Sequence, residues 1–218
     1  MIFCNDVDLL AWEPDVLKDA AFASQTLATG TGDLAGTTFT VTTGGTLSAQ
    51  AVEAGNVIVL TGAVTGCFPI VGVTGATTLE LTVLHEDPFP KTGSATPVSP
   101  GAATGLTFVI RTFWAQRRVV SELLEQAVGL VPGTADADSG TILNPQALRR
   151  VCALGTLQMI SSALSAVSPD TGSYSLRADL YERLYRRALR QAQVDLDLNG
   201  DGAPDVRRSP GLLRLVRE

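Results

Sequence analysis

The chain has 218 residues, 45% of them hydrophobic and 17% charged, which excludes a wholly disordered polymer and allows one full core or two small ones. Its net charge of −6 is unevenly placed: residues 1–110 hold ten acids against Lys18 and Lys91, net −8, whereas residues 111–218 hold twelve acids against fourteen arginines, net +2. Overall acidity argues against tight nucleic-acid binding, which phosphate neutralisation drives, while a second half that is all arginine and no lysine favours bidentate pairing with a partner's carboxylates or phosphates.

Cys4, Cys67 and Cys152 lie far apart with no CxxC, so neither a zinc site nor a disulfide framework is expected, and a reducing compartment fits. The first residues lack a basic stretch, and no 18-residue apolar run occurs, so neither a signal peptide nor a membrane span is expected.

In chain order, Trp12 to Ala28 reads as a helix, with Pro14 in its first turn, apolar residues near helical spacing, and Gly30 and Gly32 as its stop. Short β-branched runs punctuated by glycine follow, predicting five strands: Thr37 to Thr43, Asn56 to Thr61, Cys67 to Val73, Thr77 to Leu84 and Leu106 to Thr112. In the fourth, alternation places Leu79, Leu81 and Val83 on one buried face. The proline-rich stretch Asp87 to Gly105 is expected to be an exposed loop.

Helical texture resumes with Trp114 to Leu130, Pro145 to Val167 and Ser173 to about Leu196. Asn144 is placed to cap the second of these, whose apolar residues nearly surround it, so it is expected at the centre of a bundle. In the last helix Leu176, Leu180, Leu184 and Ala188 recur every fourth residue, joined by Tyr181, Tyr185 and Leu189, as the expected apolar face. The expected fold is therefore α+β: a helical bundle domain, residues 1–30 and 112–205, with an inserted five-stranded antiparallel β-barrel or sandwich, residues 31–111, and a C-terminal docking tail, residues 206–218.

The sharpest motif is Asp197, Asn199, Asp201 and Asp205 with Gly202. Oxygens at alternating positions and a glycine for the sharp turn match the logic of calcium loops, although Val206 stands where a full EF-hand has its bidentate Glu. Two readings stand: a structural Ca2+ site, or a helix end through left-handed residues with the acids exposed. Arg183, Arg186, Arg187 and Arg190 fit a protein interface, a solvated helix face or, less well, DNA phosphates.

Enzymatic readings find little in the sequence. His85 is the only histidine and sits in a polar turn, no phosphate loop or nucleophile elbow occurs, and a hydrolase built on Asp197, Asp201 and Asp205 lacks a base. Cys67 reads as a core residue, and Trp12 and Trp114 as core anchors. A carbohydrate- or surface-binding β module on a helical stalk is the alternative, but residues 31–111 offer only Phe39, Phe68, Phe89 and Phe108 as aromatics.

The helical segment 113–196, especially Arg177-Ala-Asp-Leu-Tyr-Glu-Arg-Leu-Tyr-Arg-Arg-Ala-Leu-Arg, with the Asp-Leu-Asn-Gly-Asp-Gly loop and the Arg-rich end, resembles the head-to-tail connectors, or neck adaptors, of tailed bacteriophages and prophage-derived particles. The resemblance implies a non-catalytic virion protein of the head–tail neck, assembled in the host cytoplasm. It further implies a homo-oligomeric ring, twelvefold in the family, that binds the portal protein and the next neck or tail component and lets DNA pass without gripping it. Arg207, Arg208, Arg214 and Arg217, alternating with Leu212, Leu213 and Leu215, would form the docking strip. The β insertion departs from the smallest members of that family, which are nearly all helical.

Overall fold

A computed structural model describes residues 1–47, 50–84, 97–133, 141–167 and 171–211. The chain divides into two compact units, residues 9–113 and residues 1–8 with 114–218. The fold is α+β, with a closed antiparallel barrel and several helices.

The first unit is the barrel. Its strands are β1 (Thr26–Gly36), β2 (Thr38–Thr43), β3 (Val57–Thr61), β4 (Gly66–Val73), β5 (Thr78–Leu81) and β6 (Gly101–Arg111), arranged β1-β2-β5-β4-β3-β6 with β6 closing on β1. It has six strands where five were expected, and β1 is the addition. Thr26 and Ala28 pair with Arg111 and Ile110 of β6, a long-range pairing that overrides the helical spacing of the segment. Gly30 and Gly32 do not stop a helix but lie inside β1, where the strands approach closely. A Cβ at Gly30 would meet the Thr43 carbonyl oxygen at 1.9 Å, and one at Gly32 would meet the Phe39 ring at 2.4 Å.

Of the helix expected over Trp12 to Ala28, only α2 (Val16–Asp19) forms, preceded by α1 (Asp6–Leu10). Buried Val16 and Leu17 belong to α2, which lies against β3, and Val57 and Val59 of that strand are also buried. Inside the barrel, Leu34, Phe39, Ile58, Leu60, Ile70, Leu79, Leu81, Leu106, Phe108 and Ile110 form a filled core, with Phe39 and Phe108 edge to face at 5.3 Å. Of the expected loop Asp87 to Gly105, residues 87–96 lie outside the described residues. Residues 101–105 instead begin β6, because Gly101, Ala102 and Ala103 are small enough to keep pairing with β1.

The second unit holds three long helices, α3 (Trp114–Ala127), α4 (Gln146–Val167) and α5 (Thr171–Gln191), and a hairpin of β7 (Val194–Leu196) with β8 (Val206–Arg208). As expected, α4 is the core helix and packs on both α3 and α5. It has the length and hydropathy of a membrane span, yet more than half of that window is buried inside the molecule, as in a core helix. Gly155 makes the close packing possible, since a Cβ there would meet Tyr185 and Val120 at 2.9 Å.

Three boundaries differ from the sequence reading. Residues 9–30 belong to the barrel unit, because β1 and the cover of β3 are drawn from them. The last helix ends at Gln191, and Val194–Leu196 becomes a strand. Residues 206–208, expected at the head of a tail, pair in register with 194–196.

Candidate functional site

The β7–β8 hairpin is built by the chain leaving α5. Asn144 accepts a hydrogen bond from the Asp195 amide at 2.9 Å and donates to the Gln193 carbonyl at 3.1 Å. The side chain expected to cap α4 therefore clamps β7 instead, because the amide it reaches lies across the fold. Leu143 N–H donates to the Asp195 carbonyl, and Ile142 bridges Leu196, so residues 142–144 hold the strand's free edge.

Between the strands, Asp197, Asn199, Asp201 and Asp205 are brought together in one turn, as the spacing required. Gly202 donates its amide to Asp197 Oδ2 at 2.7 Å, while Gly200 at 2.7 Å and Asn199 at 3.2 Å donate to Oδ1. These amides, that of Gly202 foremost, hold the Asp197 carboxyl below its ordinary range. Asp205 Oδ2 accepts from the Leu198 and Asn199 amides, and its Oδ1 accepts from the Asn199 side chain at 3.1 Å. Asp201 accepts from the Ala203 amide at 2.8 Å. Gly200 and Gly202, at φ of 79° and 82°, supply the left-handed backbone that aims these amides inward.

Each acid in the loop thus has a partner within the loop. Asp197 Oδ1 and Asp205 Oδ2 each accept two amide bonds, which uses both lone pairs of each oxygen. Among the described residues no group of three or more His, Cys, Asp or Glu side chains is disposed to hold a metal ion.

Arg207 and Arg208, expected to reach a partner, also have partners within the chain, although the Arg207 side chain stays 64% exposed. Arg207 forms a forked ion pair with Asp195, Nε to Oδ1 at 2.6 Å and Nη2 to Oδ2 at 3.3 Å, and that hydrogen bonding raises its pKa. Arg208 donates to the Val128 carbonyl beyond α3, in a space open only because Gly129 has no side chain: a Cβ there would stand 2.1 Å from Nη1. Leu212, Leu213, Arg214, Leu215 and Arg217 lie outside the described residues, as do His85 and Phe89. On α5, Arg186 pairs with Glu182 one turn away and Arg183 donates to the Asp179 carbonyl at 3.3 Å.

Only part of the expected apolar set of α5 is buried. Tyr181 and Ala188, seven residues apart, are buried, whereas Leu176 and Leu180 are 71% and 45% exposed. On α3, Val119 and Leu123, four residues apart, are 42% and 50% exposed. Gly155 was the available signal: a glycine in the middle of an otherwise strong helix marks where the Tyr185 ring comes close. Trp12 and Trp114 are not core anchors but stand exposed, Trp114 with the Arg118 guanidinium 5.4 Å from its ring. Phe39 and Phe108 are buried inside the barrel, so they offer no stacking surface outside it.

A buried polar cluster in the helical unit was not visible in the sequence, because its members are more than a hundred residues apart. Arg117 pairs with Asp6, Nε to Oδ1 at 3.2 Å, and donates from Nη1 to the Cys4 carbonyl at 3.0 Å. The Phe3 amide donates to Ser121 Oγ at 3.2 Å, and Cys4 Sγ lies 2.7 Å from Cys152 Sγ. Cys67, in β4 of the other unit, has its thiol pushed up to about 11 by burial and by Asp15.

Comparisons with protein-family profiles, with curated proteins and with solved structures return no match.

Proposed function

We propose that this chain is a structural head-to-tail adaptor of a tailed bacteriophage or prophage-derived particle. In this reading the helical unit is covered by other protein: by further copies in a ring, by the portal protein, and by the next neck or tail component. The observation that carries it is the exposed apolar pairs on two helices of the same unit, Leu176 with Leu180 on α5 and Val119 with Leu123 on α3. Large apolar side chains clustered on helices that already have a buried face on the other side mark surfaces that association removes from water.

Two different faces, rather than one self-complementary face, suit head-to-tail contact between neighbours, and such contact closes into a ring when its rotation permits. The arginines at 183, 186 and 187 flank the α5 pair and give it a basic border for acids on a neighbour. The acidic total suits a channel wall that does not retain DNA. Residues 212–218, with Leu212, Leu213, Arg214, Leu215 and Arg217, are the proposed contact to the portal.

The test is mass by light scattering, for the chain alone and with purified portal from the same particle. A multiple of 22.8 kDa, or a shift of the portal peak, supports the proposal; a strict monomer with no affinity for portal overturns it. Arg214→Glu with Arg217→Glu is expected to weaken the portal shift without changing the fold.

A further inference from the structure

We propose that Cys4 and Cys152 are a disulfide-forming pair that ties the extended segment before α1 to the core helix α4. The two sulfurs are 2.7 Å apart, although the residues are separated by 148 positions. Both are buried, and both are thiols in this structure.

Their surroundings differ from those of two cysteines filling an apolar gap. Cys4 donates its S–H to the Cys152 sulfur, and Ser121 Oγ lies 3.4 Å from that same sulfur. The Arg117 guanidinium, fixed by Asp6 and by the Cys4 carbonyl, adds positive charge nearby. The Cys4 hydrogen bond foremost, with that of Ser121, outweighs burial and lowers the Cys152 pKa, while the same hydrogen bond raises that of Cys4. The Ser121 hydroxyl and the Arg117 charge stand beside the Cys152 sulfur, so in the proposed step Cys152 attacks and Cys4 resolves. Cys67, with a pKa near 11 and in the other unit, is an internal control.

The oxidant named is a hydroperoxide. The Cys152 thiolate attacks one peroxide oxygen, the O–O bond breaks, and the leaving hydroxide takes a proton to become water, leaving a sulfenic acid on Cys152. The Cys4 sulfur then attacks the Cys152 sulfur and its S–O bond breaks; the departing hydroxyl takes the Cys4 proton as a second water. Two thiols lose two electrons and the peroxide gains them. Local opening of residues 1–5, whose first two side chains are exposed, admits the oxidant. The chain leaves the helical unit after residue 8 and returns at 114, so the bond closes a covalent loop that contains the whole barrel.

The experiment treats the full chain with hydrogen peroxide, then unfolds it and alkylates free thiols with iodoacetamide before mass spectrometry. The expected result is one alkylated cysteine, Cys67, a mass lower by two hydrogens before alkylation, and a peptide joining Cys4 to Cys152 that dithiothreitol separates. The oxidised form should also melt higher than the reduced form, by on the order of 10 °C for so long a loop, and Cys67→Ser should leave that difference intact. Three alkylated cysteines after peroxide, a bridge that includes Cys67, or sulfinic acid at Cys152 with no bridge would each overturn the proposal.

Discussion

The two units solve burial differently. Among the described residues, the buried polar side chains of the barrel unit are neutral and accept backbone amides: Asn56 from Glu53 at 2.9 Å, and Thr82 from Val98 at 2.9 Å. In the helical unit the buried polar set includes Asp6, Arg117, Glu125 and Asp197, all of them charged types. The outsides differ in the same direction. Among the described residues, Trp12 is the one large hydrophobic side chain left exposed in the barrel unit, against eleven in the helical unit. The barrel's surface is what a self-sufficient module leaves after closing its sheet, whereas the helical unit combines buried charge with exposed apolar groups, a combination that association can resolve.

The contrast can be broken first at the barrel's centre. Phe108→Ala removes half of the edge-to-face pair and leaves a cavity, and should cost about 3–5 kcal/mol in urea unfolding. A loss below about 1 kcal/mol would mean that the barrel is not tightly filled.

In the helical unit the matching test is electrostatic. Arg117→Ala removes the cation paired with the buried Asp6 carboxylate and should also cost about 3–5 kcal/mol, but replacing Asp6 and Arg117 together by apolar residues of similar volume should recover most of it. Equal losses for the single and double variants would show that packing, not pairing, is what matters at Arg117.

A smaller effect is expected at the hairpin loop, and its pH dependence has a definite sign. Because amides depress the Asp197 pKa in the folded chain, its contribution is fully present above the ordinary carboxylate value of about 4 and is lost as pH falls through the folded value. Exchange protection of the Gly200 and Gly202 amides should therefore fall in acid below about pH 4, and Asp197→Asn should flatten that dependence. Thermal unfolding with calcium against chelator decides between the two readings of the loop: a rise with calcium would show that it binds the ion, and identical midpoints would show that its own amides suffice.

The smallest effect on stability is expected at the surface. Leu176→Glu with Leu180→Glu should shift unfolding by no more than about 0.5 kcal/mol per site yet reduce self-association or portal binding severely. A large loss of stability would mean that these leucines belong to the core after all.

What could be read from the sequence was local. The alternation around Leu79 and Leu81, the β-branched runs and the all-round apolar surface of α4 each lie within a short window, and each of these elements forms, although β5 stops at Leu81, so that Thr82 is buried and Val83 lies half-buried beyond the strand. What failed depended on partners distant in the chain. The segment beginning at Thr26 looks helical until β6 supplies its pairing, and Gly32 looks like a stop until Phe39 needs its space. The same division holds at the candidate site. The turn at Asp197, Asn199, Asp201 and Asp205 was legible because its hydrogen bonds span at most a few residues. The engagement of Arg208 by Val128, 80 residues away, and the approach of Tyr185 to Gly155 were not.

The most direct test of the central claim is an electron-microscopy reconstruction of the chain assembled with portal. The account expects a ring in which the α3 and α5 surfaces around Val119, Leu123, Leu176 and Leu180 are covered by neighbouring protein. Isolated copies, or a ring that leaves those four side chains facing water, would contradict it.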